Sequence, residues 1–307
     1  MGYPSLVTRP RFIQGFTDAA LGPDPDLATA ALMIARVEYP DLDAARYLEL
    51  HDVFGREAGR RLADAVPPAN TPHDVDPDRY ARVLALNAYL FDELHFVGND
   101  AHYEDPRNSF LNEVIDRRTG IPITLALIYM EVARRAGLQV EGVNFPGHFL
   151  LRCRSRLSVP RTEDLIIDPF RAGALLSRDL LARQSDEEDE DDDPRQFESR
   201  LLPRATKPQI LTRMLVNLKR VYVRMESFPQ ARDVTDLLIA LDPSAVHELR
   251  DRGLLAYQLK DFSAALRDLQ AYLQLLPPGD TTGENRHEHD RIWEHVKTLR
   301  KRVASLN

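Results

Sequence analysis

Three segments of the sequence decide the fold: NSFLNEVIDRRTGIPIT at residues 108–124, GVNFPGHF at residues 142–149 and IDPF at residues 167–170. In the first segment, Asn108 or Ser109 can cap a short helix that ends at Gly120. Pro122 suits the first turn of a second helix, which stops at Gly137. Because the first ten residues of this second helix are apolar nearly all round, we expect it to be buried on most faces.

Beyond Gly137 the spacing of apolar residues changes to that of strands. Three short apolar runs predict three strands, at residues 139–144, 148–152 and 164–167. Pro146-Gly147 forms a predicted turn between the first two. Helices followed by a small antiparallel sheet indicate the α+β class.

Helical spacing dominates the rest of the chain. Apolar residues recur at helical intervals over residues 26–65, where Pro40 separates two helices, and again over residues 79–96. The chain therefore begins with a helical region that precedes the predicted sheet.

The C-terminal part repeats itself with a period of 34 residues: Phe228, Ala231, Leu241 and Pro243 recur as Phe262, Ala265, Leu275 and Pro277. This period, with an alanine at a helix crossing and a closing proline, is the tetratricopeptide pattern. Gly253 occupies the small-residue position in the second copy, where Lys219 stands in the first. Because two copies are few for a free-standing array, we expect support from the preceding domain and from a last helix. That helix carries Ile292, Val296, Leu299 and Val303.

The formal charge of −8 has one source, an unbroken acidic run of eight residues at 186–193. Without it the chain has 40 basic and 48 − 8 = 40 acidic residues, so no field that would attract nucleic acid or an anionic membrane is expected. No apolar stretch reaches the length of a membrane span, and the first thirty residues lack a signal peptide pattern. We expect a cytoplasmic protein.

The sequence offers few groups for metal or cofactor chemistry. A single cysteine, Cys153, excludes an internal disulfide and a cysteine-rich zinc framework. His287 and His289 lie in a charged segment that reads as a solvated helix start, which disfavours a zinc site. No phosphate-binding glycine-rich loop is present. We therefore expect neither a cofactor nor a metal.

His148 and Asp168 are the candidate catalytic pair. His148 begins one predicted strand and Asp168 ends another. If the two strands are antiparallel neighbours, the carboxylate can fix the tautomer of the imidazole, which would act as a general base. The plainer reading of each residue is an ordinary turn or strand-end residue.

Four motifs change the balance between these readings. They are residues 108–112, 117–124, 142–149 and 167–170, and in this order they resemble the SirB-type transglutaminase-like proteins, which carry C-terminal tetratricopeptide repeats. The resemblance implies a papain or transglutaminase fold, in which a helix bearing the nucleophilic cysteine packs on a small sheet bearing histidine and then aspartate. His148 and Asp168 take the last two positions.

The cysteine position does not carry over. In active relatives the nucleophile should fall near residues 122–124, where this chain has Pro122, Ile123 and Thr124. A threonine hydroxyl is a far weaker acid than a thiol at a helix N-terminus. Thr124 is more simply a capping or packing residue. Cys153 is an odd number of residues from His148 on the same predicted strand, so we expect its sulfur to point away from the imidazole.

Three functional hypotheses follow from these residues. The favoured one is a binding or regulatory protein whose transglutaminase-like domain has lost its nucleophile, with a protein or peptide partner bound by the repeats and by the His148 cleft. The second is a hydrolase or acyltransferase that uses Thr124 with His148 and Asp168. The third makes the repeats the whole function; an open groove lined by Tyr222, Arg224 or Tyr257 would then take a peptide. The oligomeric state stays open.

The predicted domain organisation has three parts. Residues 1–180 form the helical front end and the transglutaminase-like domain, residues 181–198 an acidic linker, and residues 199–307 the tetratricopeptide-like repeats. The acidic run lies at the boundary between the two folded parts, where it predicts a solvated linker.

Overall fold

The computed structural model describes residues 10–23, 25–145, 147–154, 163–177, 180–181, 202–275 and 284–304. Pro146 and the acidic run at 186–193, with most of the predicted linker, lie outside the described residues. Among the described residues, none of the helices combines the length and the apolar character needed to cross a membrane.

Helices make up most of the described chain and bear out the α+β class. In chain order they are α1 Pro10–Leu21, α2 Leu27–Ala35, α3 Ala44–Ala63, α4 Pro77–Asn87, α5 Leu111–Arg117, α6 Pro122–Arg135, α7 Lys207–Arg224, α8 Phe228–Leu241, α9 Val246–Gln258, α10 Phe262–Leu275 and α11 Glu284–Ala304. Three shorter turns of helix are a π-helix at Ala88–Glu93 and 3-10 helices at Pro106–Ser109 and Pro169–Arg171.

The strands form two small sheets. They are β1 Val97–Gly98, β2 Thr119–Gly120, β3 Glu141–Phe145, β4 His148–Cys153, β5 Leu165–Asp168 and β6 Ala174–Leu176. β1 and β2 pair in parallel, and β3 to β6 form an antiparallel sheet in sequence order. The three predicted strands are therefore confirmed, whereas β1, β2 and β6 are too short to stand out in the sequence.

The contacts divide the chain into two compact units. The sheet unit comprises residues 26–35 and 41–214, and the repeat unit comprises residues 1–25, 36–40 and 215–307. The proposed division into residues 1–180, 181–198 and 199–307 stays a prediction.

The core of the sheet unit is built around α6. Every residue from Pro122 to Ala133 is buried, as predicted, and both α3 and β4 pack against this helix. Gly137, with φ +74°, follows its C-terminal turn, in keeping with the left-handed conformation that glycine accepts without strain.

The predicted end of the short helix before α6 is wrong. α5 ends at Arg117, its C-cap Arg118 adopts φ +57°, and Gly120 belongs to β2 instead. A side chain at Gly120 would have its Cβ 2.8 Å from Thr124 Oγ1 and 2.9 Å from Val114 Cγ1. Gly120 therefore serves close packing against α6, and not the termination of α5.

The predicted caps of α5 are also wrong. Asn108 and Ser109 form part of the 3-10 helix, and the capping position is Phe110, which makes no side-chain cap. The Asn108 side chain donates instead to the carbonyl of His102, at 2.8 Å.

Within the repeat unit α8 packs against α9, and α9 packs against α10 as the second of the two predicted helical hairpins. Ala231 and Ala265, equivalent in the repeat, are both fully buried. A Cβ at Gly253 would lie 2.8 Å from the Leu269 side chain, which confirms the close helix crossing. At the equivalent place Lys219 forms ion pairs of 2.7 Å with Glu248 and with Asp251.

Two further helices complete the repeat unit. α11 packs Ile292, Val296 and Leu299 against the second repeat, as predicted for the last helix. α1 packs against α8, although nothing in the local sequence of α1 indicates that partner.

Candidate functional site

The N-terminus of α6 is the position at which the resemblance places a nucleophile. Thr124 is fully buried there. Its hydroxyl donates to the carbonyl of Asn108 at 2.8 Å and accepts from the amide of Ile121 at 3.1 Å. This is a capping role, since the hydroxyl satisfies the backbone at the start of the helix. The hydroxyl proton is already committed to a backbone carbonyl.

The loop at residues 99–107 is held next to this helix start by Asn108. This side chain is fully buried. Its Oδ1 accepts from Asn99 Nδ2 at 3.0 Å, and its Nδ2 donates to the carbonyl of His102 at 2.8 Å. A buried amide that uses both its donor and its acceptor fixes the course of the loop. Tyr103, in this loop, keeps 47% of its side chain exposed.

Asp168 lies at the end of β5 with only 3% of its surface exposed. Its Oδ1 accepts from the amide of Phe170 at 2.9 Å, and Oδ2 lies 3.8 Å from Nε of Arg171. The carboxylate therefore caps the 3-10 helix that follows it.

A partly buried amide, that of Asn87, fixes the turn that follows Asp168. Asn87 Nδ2 donates to the carbonyl of Gly173 at 2.7 Å, and Asn87 Oδ1 accepts from the hydroxyl of Tyr129 at 2.9 Å. The turn is thereby tied to both α4 and α6.

His148 is the first residue of β4 and is partly buried. Its ring lies 6.4 Å from that of Phe145, the residue opposite it in β3. Leu151 pairs with Ile167, so one further step of the register places Asp168 opposite Leu150, two residues from His148 and on the same face of the sheet.

The register places His148 and Asp168 on one face of the sheet, whereas the hydroxyl of Thr124 bonds to the backbone of Asn108 and Ile121. Within the described part of the chain, no hydrogen bond links the imidazole of His148 to Asp168 or to Thr124. Whether these residues retain a catalytic role stays a prediction.

Cys153 ends β4 and is 2% exposed. It lies five residues from His148 on one regular strand, so the two side chains leave opposite faces of the sheet, as expected. Among the described residues, no group of acidic, histidine or cysteine side chains has the arrangement of a metal site.

Sequence reasoning missed Arg213, in the first half of α7. Its guanidinium lies 5.4 Å from the centre of the Phe149 ring, and Nη1 lies 3.5 Å from Asn144 Oδ1. Phe149 and Asn144 face each other across β3 and β4. Tyr103, whose phenol influences the charge of Arg213, packs edge-on against Phe170, with ring centres 6.2 Å apart. An arginine in an amphipathic helix gives no local signal of such surroundings.

The repeat unit does not present the groove residues as expected. Tyr222 is 3% exposed, and its hydroxyl donates to Glu38 at 3.0 Å. Burial, followed by the charge of Glu38, raises the pKa of Tyr222. Tyr257 packs edge-on against Phe262 and His295. Tyr222 is therefore a structural residue, and the proposal that it lines an open peptide groove is wrong.

Among the described residues of this unit, Trp293 on α11 is an exposed aromatic residue. Its side chain is 39% exposed. The guanidinium of Arg300 and the ammonium of Lys297 lie 5.6 Å and 6.0 Å from its ring. An exposed tryptophan between cations has the composition that protein-binding surfaces favour.

Comparison with known proteins confirms the family resemblance. A model of the transglutaminase-like superfamily matches residues 50–216, just over half of the chain, and a tetratricopeptide repeat model matches residues 218–299. A UPF0162 protein of Xylella fastidiosa is 40% identical over 89% of this chain and 89% of its own length. A UPF0162 protein of Pseudomonas aeruginosa is 30% identical over 85% of this chain and 89% of its own length. Human F-box only protein 21 is 32% identical over 72% of this chain, but over 36% of its own length.

Proposed function

This chain belongs to the transglutaminase-like superfamily, and we propose that it binds a protein partner without transferring an acyl group. The transglutaminase-like domain and the tetratricopeptide repeats support a role in protein interaction. In this proposal the repeats supply the main binding surface, and the cleft at His148 supplies a second contact.

The hydrogen bonding of Thr124 carries the proposal. A hydroxyl nucleophile must hand its proton to a base during attack. Here that proton is donated to the carbonyl of Asn108, and the side chain has no exposed surface. The helix start has no thiol to replace it, because the one cysteine of the chain is Cys153.

The alternative function is an acyl transfer or hydrolysis that uses Thr124 with His148 and Asp168. The observation in its favour is the register, which puts His148 and Asp168 on one face of the sheet. It requires the Thr124 hydroxyl to leave its backbone partners and to reach the imidazole.

An activity assay separates the two functions. The full chain is incubated with a glutamine-containing protein and a fluorescent primary amine, and amine incorporation and amide hydrolysis are both followed. The proposal expects the parent, Thr124→Val and His148→Ala to share one background rate. A rate in the parent that both substitutions abolish would establish the alternative.

A binding assay tests the interaction itself. The full chain captures a partner from bacterial lysate, and the same partner is then quantified with Trp293→Ala, His148→Ala and, as the control, Val66→Ala. Val66 is 81% exposed and lies in the sheet unit. We expect Trp293→Ala to lower capture at least about tenfold, as for an aromatic hot spot. His148→Ala should lower it less, and Val66→Ala should leave it unchanged.

Two results would contradict this picture. Full capture by Trp293→Ala would remove α11 from the binding surface. Full capture by His148→Ala would show that the His148 cleft contacts no partner.

A further inference from the structure

Arg213 differs from Arg152 and Arg135, two other arginines of the sheet unit, in its charge environment. Arg152 lies 2.7 Å from Glu141 through Nε, and Arg135 lies 2.6 Å from Asp52. Arg213 makes one long hydrogen bond, of 3.5 Å, to the neutral amide of Asn144. Within the described residues no carboxylate pairs with it.

The guanidinium of Arg213 is nevertheless taken partly out of water. Burial lowers its pKa, and among the described residues the opposing influence comes from the phenol of Tyr103. A cation that loses hydration without gaining an anion destabilises the fold unless a partner arrives. An arginine also has five N–H donors in a planar fork, and among the described residues Arg213 donates to Asn144.

The side chains near Arg213 determine which kind of ligand could bind beside it. Phe149 holds the guanidinium against its ring at 5.4 Å. The phenol of Tyr103 lies near enough to Arg213 to influence its charge, and the Tyr103 ring packs edge to face against that of Phe170. Tyr103 is 47% exposed, so the place is open to solvent on that side. The lining thus combines one positive charge, one phenol and an aromatic wall.

We propose that Arg213, Asn144 and Tyr103 form a binding site for a carboxylate carried beside an apolar side chain of a peptide. The planar guanidinium fork matches a carboxylate in two-point contact. A single cation suits a monoanion better than a phosphate dianion. The aromatic wall takes the neighbouring apolar group. This inference rests on the proposed function in assuming that the sheet unit binds ligands, and it names the chemistry of one of them.

The carboxylate probe is N-acetyl-L-phenylalanine, and its matched neutral control is N-acetyl-L-phenylalaninamide. Each is titrated into the full-length chain at low salt, and binding is followed by the chemical shifts of the Asn144 and Phe149 amides. We expect the acid to bind at least about tenfold tighter than the amide, as for a hydrogen-bonded charge pair.

Three variants assign the binding to this site. Arg213→Gln should weaken the acid at least about tenfold and leave the amide unchanged. Arg220→Gln removes an exposed cation of the same helix and should change neither. Tyr103→Phe removes the exposed hydroxyl without disturbing the core and should weaken the acid several-fold. The Tyr103→Phe variant keeps the test valid if Arg213→Gln does not fold.

Several outcomes overturn the proposal. They are equal binding of acid and amide, full binding by Arg213→Gln, loss of binding in Arg220→Gln, and tighter binding of inorganic phosphate than of the acid. These results can be told apart from a failure of the proposed function, because the probe assay involves neither an acyl acceptor nor the captured partner.

Discussion

Replacing Thr124 by valine tests whether this residue is a structural cap or a nucleophile. Valine keeps the shape of threonine but lacks the hydroxyl. The Ile121 amide and the Asn108 carbonyl, which the hydroxyl now satisfies at 3.1 Å and 2.8 Å, would then be buried without a partner. An unsatisfied buried group costs about 1–3 kcal/mol, so we expect Thr124→Val to lower the free energy of unfolding by about 2–4 kcal/mol.

The matched control is Thr124→Ser, which keeps the hydroxyl and loses one methyl group. Deleting a buried methyl costs about 1 kcal/mol. The two variants should therefore differ by about 2 kcal/mol, or roughly 30-fold in the unfolding equilibrium.

Urea unfolding followed by far-UV circular dichroism measures this difference. The one tryptophan, Trp293, lies in the repeat unit, so its fluorescence serves as the internal control and should shift little. Hydrogen exchange over α6 localises the loss, because the affected amides open with the local structure. Equal stability of the valine and serine variants would refute the capping argument, as would a valine variant as stable as the parent.

Four other substitutions test helix packing and buried hydrogen bonds. Gly253→Ala should destabilise the repeat unit by about 1–3 kcal/mol, because its Cβ would meet a leucine side chain at 2.8 Å. Gly59→Ala, where the nearest atom is 3.8 Å away, should stabilise its helix by about 0.5–1 kcal/mol. Thermal melts measure both changes in stability. Asn87→Ala removes hydrogen bonds of 2.7 Å and 2.9 Å and should speed hydrogen exchange over residues 168–173. Burial and a hydrogen bond to Asp116 raise the pKa of Tyr47 to about 12, so the protonated phenol stabilises the fold below pH 10, and this contribution is lost as the pH rises from 10 to about 12. Tyr47→Phe should flatten the stability profile in that window.

Each of these predictions has a contrary result. Equal melting of the two glycine variants would remove the argument from close helix crossing. Unchanged exchange after Asn87→Ala would show that the turn is held by other contacts. An unaltered fall in stability between pH 10 and 12 in Tyr47→Phe would assign that fall to other groups.

The sequence by itself determined the class of fold, most helices and the strands β3, β4 and β5. The spacing of apolar residues can be observed within a single segment. A helix buried on all sides, such as α6, is apolar all round, and a repeat of 34 residues indicates that each hairpin packs on the next. The sequence also showed that no cysteine thiol lies at the start of α6. These properties need no knowledge of which distant segments meet.

Tertiary structure alone decided what the polar groups of the site do. The partner of the Thr124 hydroxyl lies 16 residues away, and Arg213 meets an asparagine 69 residues away. In the same way, α1 packs on α8, which lies far from it in the sequence. Such pairings depend on how whole elements pack, and packing between distant elements leaves no periodic trace in either segment. The residue types of the site could be read from the sequence, but their hydrogen-bond partners arise only from folding.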